Sequence, residues 1–127
     1  MTKSDFLKFI WKYRMKLLAE DNRLTKEGRK LRAKSDELRE RVNKLWWETG
    51  SSRFHAKGNK LLAESNKLQA EGDELLDQGS KLRAEGDKLW AEAILEVYGD
   101  IKMEWKNWND EKESYECHLE NGEVFKP

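Results

Sequence analysis

Lys67-Leu68-Gln69-Ala70-Glu71-Gly72-Asp73 and Lys81-Leu82-Arg83-Ala84-Glu85-Gly86-Asp87 are two copies of one seven-residue unit. Working outward, the unit recurs from Lys16 to Ile94. It begins at Lys16, Arg23, Lys30, Glu37 and Lys44, then, after the additional Ser51 and Ser52, at Arg53, Lys60, Lys67, Glu74, Lys81 and Lys88. The second position is leucine in every unit except that of Phe54. The sixth is mostly small, as at Gly28, Ser35, Gly58, Ser65, Gly72, Gly79 and Gly86, with Asp21 and Val42 the departures. Apolar and small residues separated by four and three, at a strict period of seven, form a coiled-coil seam.

Glycine inside a helix costs roughly 1 kcal/mol relative to alanine, so five such glycines imply close approach of a second helix. The two extra residues would rotate a continuous seam by about 200°. Thr49-Gly50-Ser51-Ser52 also offers a glycine helix stop followed by serine caps. The chain is therefore predicted to reverse at about residues 48–53. Folding about the Ser51/Ser52 midpoint places Leu24 against Gly79, Leu31 against Gly72, Leu38 against Ser65 and Leu17 against Gly86, each leucine meeting a small residue. Glu48 with Lys57, Arg41 with Glu64 and Lys34 with Glu71 are predicted to flank that seam. The arms, about Ser4–Trp47 and Ser52–Tyr98, span roughly 65–70 Å each. Ser4 or Thr2 caps the first arm, Trp11 lies beside Trp90 at the open end, and Trp46 lies near His55 at the turn.

After Tyr98-Gly99-Asp100 the period changes to two. Ile101, Met103 and Trp105 alternate with charged residues, as do Tyr115, Cys117 and Leu119, and Asn121-Gly122 precedes Glu123-Val124-Phe125. This pattern predicts a three-stranded antiparallel meander with a turn at Asn121-Gly122. Three short strands cannot stand alone, so the meander is expected to pack on Phe6, Ile10 and Trp11. The predicted fold is mainly α: an antiparallel coiled-coil helical hairpin over 1–98, with a small β-meander over 99–127 on its open end.

Composition narrows function. Charged residues make up 39% of 127 residues and mean hydropathy is -1.01, values compatible with folding only because the apolar residues are periodic. Basic and acidic residues balance at 25 each, which disfavours nucleic acid as a partner. The balance is local: residues 1–50 carry 14 basic and 8 acidic groups, 51–98 carry 7 and 9, and 99–127 carry 4 and 8. The lone Cys117 cannot form an internal disulfide, and no apolar stretch suits a signal peptide or membrane span, so a reducing cytoplasm is expected. The basic, aromatic run from Phe6 to Lys16 could be read as an interfacial membrane helix, but its apolar residues are wanted by the hairpin and meander.

Catalysis is not expected, and neither a cofactor nor a metal site is implied. His55 and His118 fall at opposite ends of the predicted hairpin. Cys117 and His118, adjacent on a strand, point to opposite faces. No phosphate loop, nucleophile elbow or zinc-ligand spacing occurs. Cys117 reads as a small buried hydrophobe.

A contact surface is better marked. Ala19, Ala33, Ala56, Ala63, Ala70, Ala84 and Ala91 occupy the fourth position, away from the seam. They either offset the glycines through helix propensity or offer a flat face to another helix. Trp47 shares that row, and large aromatics on a rigid frame anchor binding hot spots. The candidate partner-binding residues are therefore Trp47, Trp105, Trp108, Ala63 and Ala70, with Leu24, Leu31, Leu38, Gly72, Gly79 and Gly86 as the structural seam. The repeated Lys-Leu-x-Ala-Glu-Gly-Asp units, followed by the ending Tyr115-Glu116-Cys117-His118-Leu119-Glu120-Asn121-Gly122-Glu123-Val124-Phe125, resemble small accessory proteins of tailed bacteriophages. That resemblance implies a viral protein of the host cytoplasm, one that binds and blocks a host protein such as an antiviral-defence factor. The alternative is a structural coiled-coil protein that self-associates through its alanine face.

Overall fold

The computed structural model describes the backbone of residues 2–49, 51–109 and 114–127, and the side chains of residues 2–48, 56–106 and 115–127. Two long helices, α1 (Lys3–Thr49) and α2 (Ser51–Tyr98), pack against each other and are followed by β1 (Met103–Asn109), β2 (Ser114–Leu119) and β3 (Val124–Phe125). The helices match the predicted arms to within two residues. Gly50 and the Trp46–His55 contact lie outside the described residues.

The N-terminus of α1 is capped by Thr2, whose hydroxyl accepts from the Asp5 amide at 3.1 Å, satisfying one of the amides that a helix start leaves unpaired. The C-terminus of α2 closes on Gly99. Its amide donates to the Leu95 carbonyl at 2.9 Å, and its φ of 74° is the left-handed conformation of a C-terminal glycine stop.

The chain divides into two compact units, Glu20–Lys81 and Met1–Ala19 with Leu82–Pro127. The division cuts across both helices. Within the second of these units the sheet shares a core with the helix ends it covers.

In the unit Glu20–Lys81 the two helices run antiparallel, with the sixth-position residues innermost. Asp21, Gly28, Ser35, Val42, Ser65, Gly72 and Gly79 are buried, whereas most of the second-position leucines are half-buried beside them. Facing residues have numbers that add to 100. Gly28 meets Gly72, Ser35 meets Ser65 and Asp21 meets Gly79. The register anticipated from the sequence is therefore corrected by three. The atoms nearest a Cβ built at Gly72 belong to Gly28 and Arg32, and those nearest one at Gly79 to Asp21 and Thr25, ahead of the anticipated Leu31 and Leu24. Ser65 exchanges hydrogen bonds with Ser35, each hydroxyl donating to the other's carbonyl. Small opposed to small lets the backbones close up, and a leucine aimed at so narrow an axis must lie alongside it.

Cross-helix polar contacts shift accordingly. Besides the Ser35–Ser65 pair, third- and seventh-position residues make them: the Arg32 Nε donates to Asp73 Oδ1 at 2.6 Å, and Arg39 reaches Asn66 at 3.4 Å and Gln69. Arg41, anticipated opposite Glu64, instead faces Glu37 on its own helix at 3.9 Å.

In the unit formed by Met1–Ala19 and Leu82–Pro127, Leu7 and Trp11 of α1 and Trp90, Ala93 and Ile94 of α2 enclose the core with Cys117, Leu119 and Phe125. Phe6 and Ile10 pack against this cluster, as anticipated. Trp11 and Trp90 meet edge to face at 4.9 Å, and Phe125 completes the aromatic group at 4.9 Å from Trp90. Both indoles are satisfied: Trp11 Nε1 donates to the Lys126 carbonyl at 2.9 Å and Trp90 Nε1 to Cys117 Sγ at 3.4 Å.

The sheet is an antiparallel meander of order β1-β2-β3. Met103 pairs with Leu119, Trp105 with Cys117, and Cys117 with Phe125, so these residues share the core face. In the β2–β3 connection the Gly122 amide bonds the Leu119 carbonyl at 3.0 Å, making Glu120 and Asn121 the central turn residues, and Gly122 follows at φ 94°. The Asn121-Gly122 signal thus marks a turn one residue longer than the two-residue form.

Candidate functional site

Of the predicted contact tryptophans whose side chains are described, Trp47 is the more exposed. It is 86% exposed near the end of α1, beside the half-exposed Trp46. Ala63 and Ala70 are exposed on α2, as the fourth position predicts. A ring so fully hydrated contributes little to the helix pair, and its apolar surface is available to another molecule.

Trp105 has a different setting. It stacks on Trp11, with ring centroids 6.0 Å apart and planes 19° apart, yet stays 39% exposed. It is thus one wall of a built structure and not a free tail anchor. The side chain of Trp108 lies outside the described residues.

Beside Trp105 opens a groove of about 430 Å³, within the size range of small-ligand sites. Trp90 and Ala91 of α2 contribute one side, Met103, Trp105 and Tyr115 of the sheet the other, and Arg14 and Asp87 supply its charges. Trp105 and Tyr115 reach it together because they occupy the same face of paired strands, Trp105 opposite Cys117 and Tyr115 two residues away.

Arg14 was not among the residues singled out from the sequence. Extending the repeat one unit upstream of Lys16 places it at the sixth position, where small residues otherwise stand. Its partner is Gly86: a Cβ built there would lie 3.3 Å from Arg14 Cγ and 3.5 Å from Leu17 Cδ1, so the glycine makes room for the arginine stem. Leu17 accordingly does lie against Gly86, as anticipated. The guanidinium carbon then sits 4.5 Å from the Trp105 ring centroid and 5.1 Å from that of Trp11, within cation–π range. Its Nε and Nη2 both approach Asp87 Oδ1, at 3.1 and 3.0 Å.

Other chemistry in this unit is accounted for by neighbours. Burial pushes the Cys117 thiol above its ordinary pKa, against the smaller opposing effect of the Trp90 indole N–H, which suppresses thiolate formation. His118 lies on the opposite face of the sheet, its Nε2 2.7 Å from Glu116 Oε1. The Tyr98 hydroxyl donates to Glu123, and that bond is the main cause of its raised pKa. Among the described residues no group of three or more His, Cys, Asp or Glu is placed to hold a metal ion, and no described helix is long and apolar enough to cross a membrane.

Comparison of the chain with family models, curated proteins and solved structures finds no match. The functional reading therefore rests on the surfaces themselves.

Proposed function

We propose that this chain is a non-enzymatic protein-binding protein, encoded by a tailed bacteriophage, that occupies and blocks a host protein such as an antiviral-defence factor. The observation that carries the reading is Trp47, which is almost wholly exposed near the end of a long helix. A large aromatic held on a regular frame loses little conformational freedom on binding, and tryptophan is enriched among hot-spot residues. The phage origin is supported by the repeated Lys-Leu-x-Ala-Glu-Gly-Asp units alone.

The test compares immobilised wild-type protein with its Trp47→Ala variant in bacterial lysate, followed by titration of the purified captured protein. Truncation of a hot spot costs about 2 kcal/mol or more, some thirtyfold in affinity, and helicity and melting temperature should stay unchanged. Equal affinity for both forms would remove Trp47 from the interface. The alternative, self-association along the exposed Ala63 and Ala70 row, predicts a concentration-dependent mass by light scattering, lowered by Ala63→Glu or Ala70→Glu.

A further inference from the structure

The groove beside Trp105 pairs two charges of unequal accessibility. Arg14 is the inner one: its side chain is only 9% exposed, and Trp11 and Trp105 lie within 5.1 Å of its guanidinium carbon. Asp87 is the outer one, its side chain 54% exposed. Both approaching nitrogens of Arg14 converge on Oδ1. Asp87 Oδ2 accepts no hydrogen bond from a described residue and is left to solvent. Of the two charges that line the groove, the accessible one is therefore the carboxylate.

Trp105, 39% exposed, and Tyr115, 48% exposed, line the same groove as Asp87, together with Met103 and Trp90. Aromatic π-surfaces beside a carboxylate favour a cation, and a planar guanidinium above all, because it stacks on rings while its N–H groups bond an oxygen. Arg14 already makes this combination on the inner side of the groove. An anion entering the groove would meet the Asp87 carboxylate before a cation already neutralised by it. The segment 99–127, which supplies Met103, Trp105 and Tyr115, carries 8 acidic and 4 basic residues, so the wider field has the same sign as Asp87.

We infer that this groove is a receptor for an arginine side chain of a partner protein, the guanidinium lying against Trp105 and Tyr115 and donating to Asp87 Oδ2. The inference rests on the protein-binding reading for its biological occupant, and it concerns a surface separate in sequence from Trp47.

The probe is an acetylated, amidated tri-arginine peptide titrated into the full-length ¹⁵N-labelled protein, alongside tri-citrulline, which keeps the shape without the charge, and tri-glutamate. The expected result is saturable movement of the Trp105 indole and Tyr115 amide resonances with tri-arginine and none with the other two. Tyr115→Ala should keep the wild-type melting temperature and bind tri-arginine about fivefold more weakly, the loss of one partly exposed cation–π contact. Asp87→Glu should retain binding. Tri-citrulline binding as tightly as tri-arginine, tri-glutamate moving the same resonances, or tri-arginine leaving them unmoved would each overturn the inference. Because no natural partner enters the experiment, those outcomes leave the Trp47 reading intact, and failure of the Trp47 test leaves this one standing.

Discussion

Gly28 and Gly72 face each other so closely that a Cβ built on Gly28 would stand 2.8 Å from the Gly72 carbonyl oxygen, and one built on Gly72 would stand 2.7 Å from that of Gly28. Side-chain carbons do not approach backbone oxygen so closely, so the absence of both side chains sets the separation of the helices here. Alanine improves intrinsic helix propensity by roughly 1 kcal/mol, but in this layer it forces the backbones apart. Gly28→Ala and Gly72→Ala are each expected to lower stability by about 1–3 kcal/mol, the usual cost of overpacking, in urea unfolding followed by circular dichroism. Gly86→Ala should cost less, since the nearest atom is a side-chain methylene at 3.3 Å. Unchanged midpoints for both variants of the Gly28–Gly72 layer would show that the helices do not pass at this point.

The same register can be fixed by a covalent test. Ser35 and Ser65 are buried with their hydroxyl oxygens 2.8 Å apart, and each lies within hydrogen-bonding distance of the other's carbonyl, at 2.8 and 2.9 Å. Two hydroxyl protons cannot serve all three contacts, so the arrangement that satisfies both carbonyls leaves the two oxygens merely touching. In a Cys117→Ser background, Ser35→Cys with Ser65→Cys should oxidise to an intramolecular disulfide faster than Leu38→Cys with Ser65→Cys, read by non-reducing electrophoresis and mass spectrometry. The reverse order of rates would restore the register in which leucine faces the small residue.

How much of this was legible in the sequence follows from what periodicity encodes. A period of seven fixes which stripe of each helix faces the other, and it located both helices. Alternation marked the strands of the meander, and reversal of the chain at about residues 48–53 put Trp11 beside Trp90. Periodicity does not say which of two rows within the stripe lies on the axis. That depends on helix separation, which the glycines reduce until the leucines no longer fit. Starting the repeat at Lys16 also hid Arg14, although the glycine pattern held the clue: Gly86 stands opposite an arginine and Gly79 opposite Asp21. Residue type alone marks Trp105 as an anchor, whereas its strand face, shared with Cys117 and Phe125, turns it toward Trp11.

Arg14 offers a way to separate packing from charge. Its stem fills the space left by Gly86 while its head lies near Trp11 and Trp105, and a buried arginine stem contributes apolar contact as well as charge. Arg14→Ala should remove that contact and leave Asp87 unpaired, lowering stability by about 2 kcal/mol. Arg14→Met keeps most of the stem, and Asp87 is exposed enough to be hydrated, so this variant should lose less than half as much. Equal losses in thermal unfolding would mean that the ion pair, not the stem, dominates.

Alkaline pH should weaken the unit that contains the sheet, and the sign follows from two groups. Cys117 has its pKa raised in the folded chain, chiefly by burial, and Tyr98 has its pKa raised chiefly by the hydrogen bond to Glu123. For an acid whose folded pKa exceeds its unfolded one, the unfolded chain loses its proton first, so stability is full below the unfolded value and falls as pH rises above it. For Cys117 that decline begins near the ordinary thiol value of 9.0, and for Tyr98 near 10.0. The melting temperature should accordingly be level from neutral pH to near 9.0 and fall above it, less steeply in Cys117→Ala and less steeply again when Tyr98→Phe is added. Cys117→Ala also removes the acceptor of the Trp90 indole, so its melting temperature starts lower at neutral pH; the diagnostic quantity is the slope. Identical slopes in wild type and the double variant would mean that neither group is held in its protonated form by the fold.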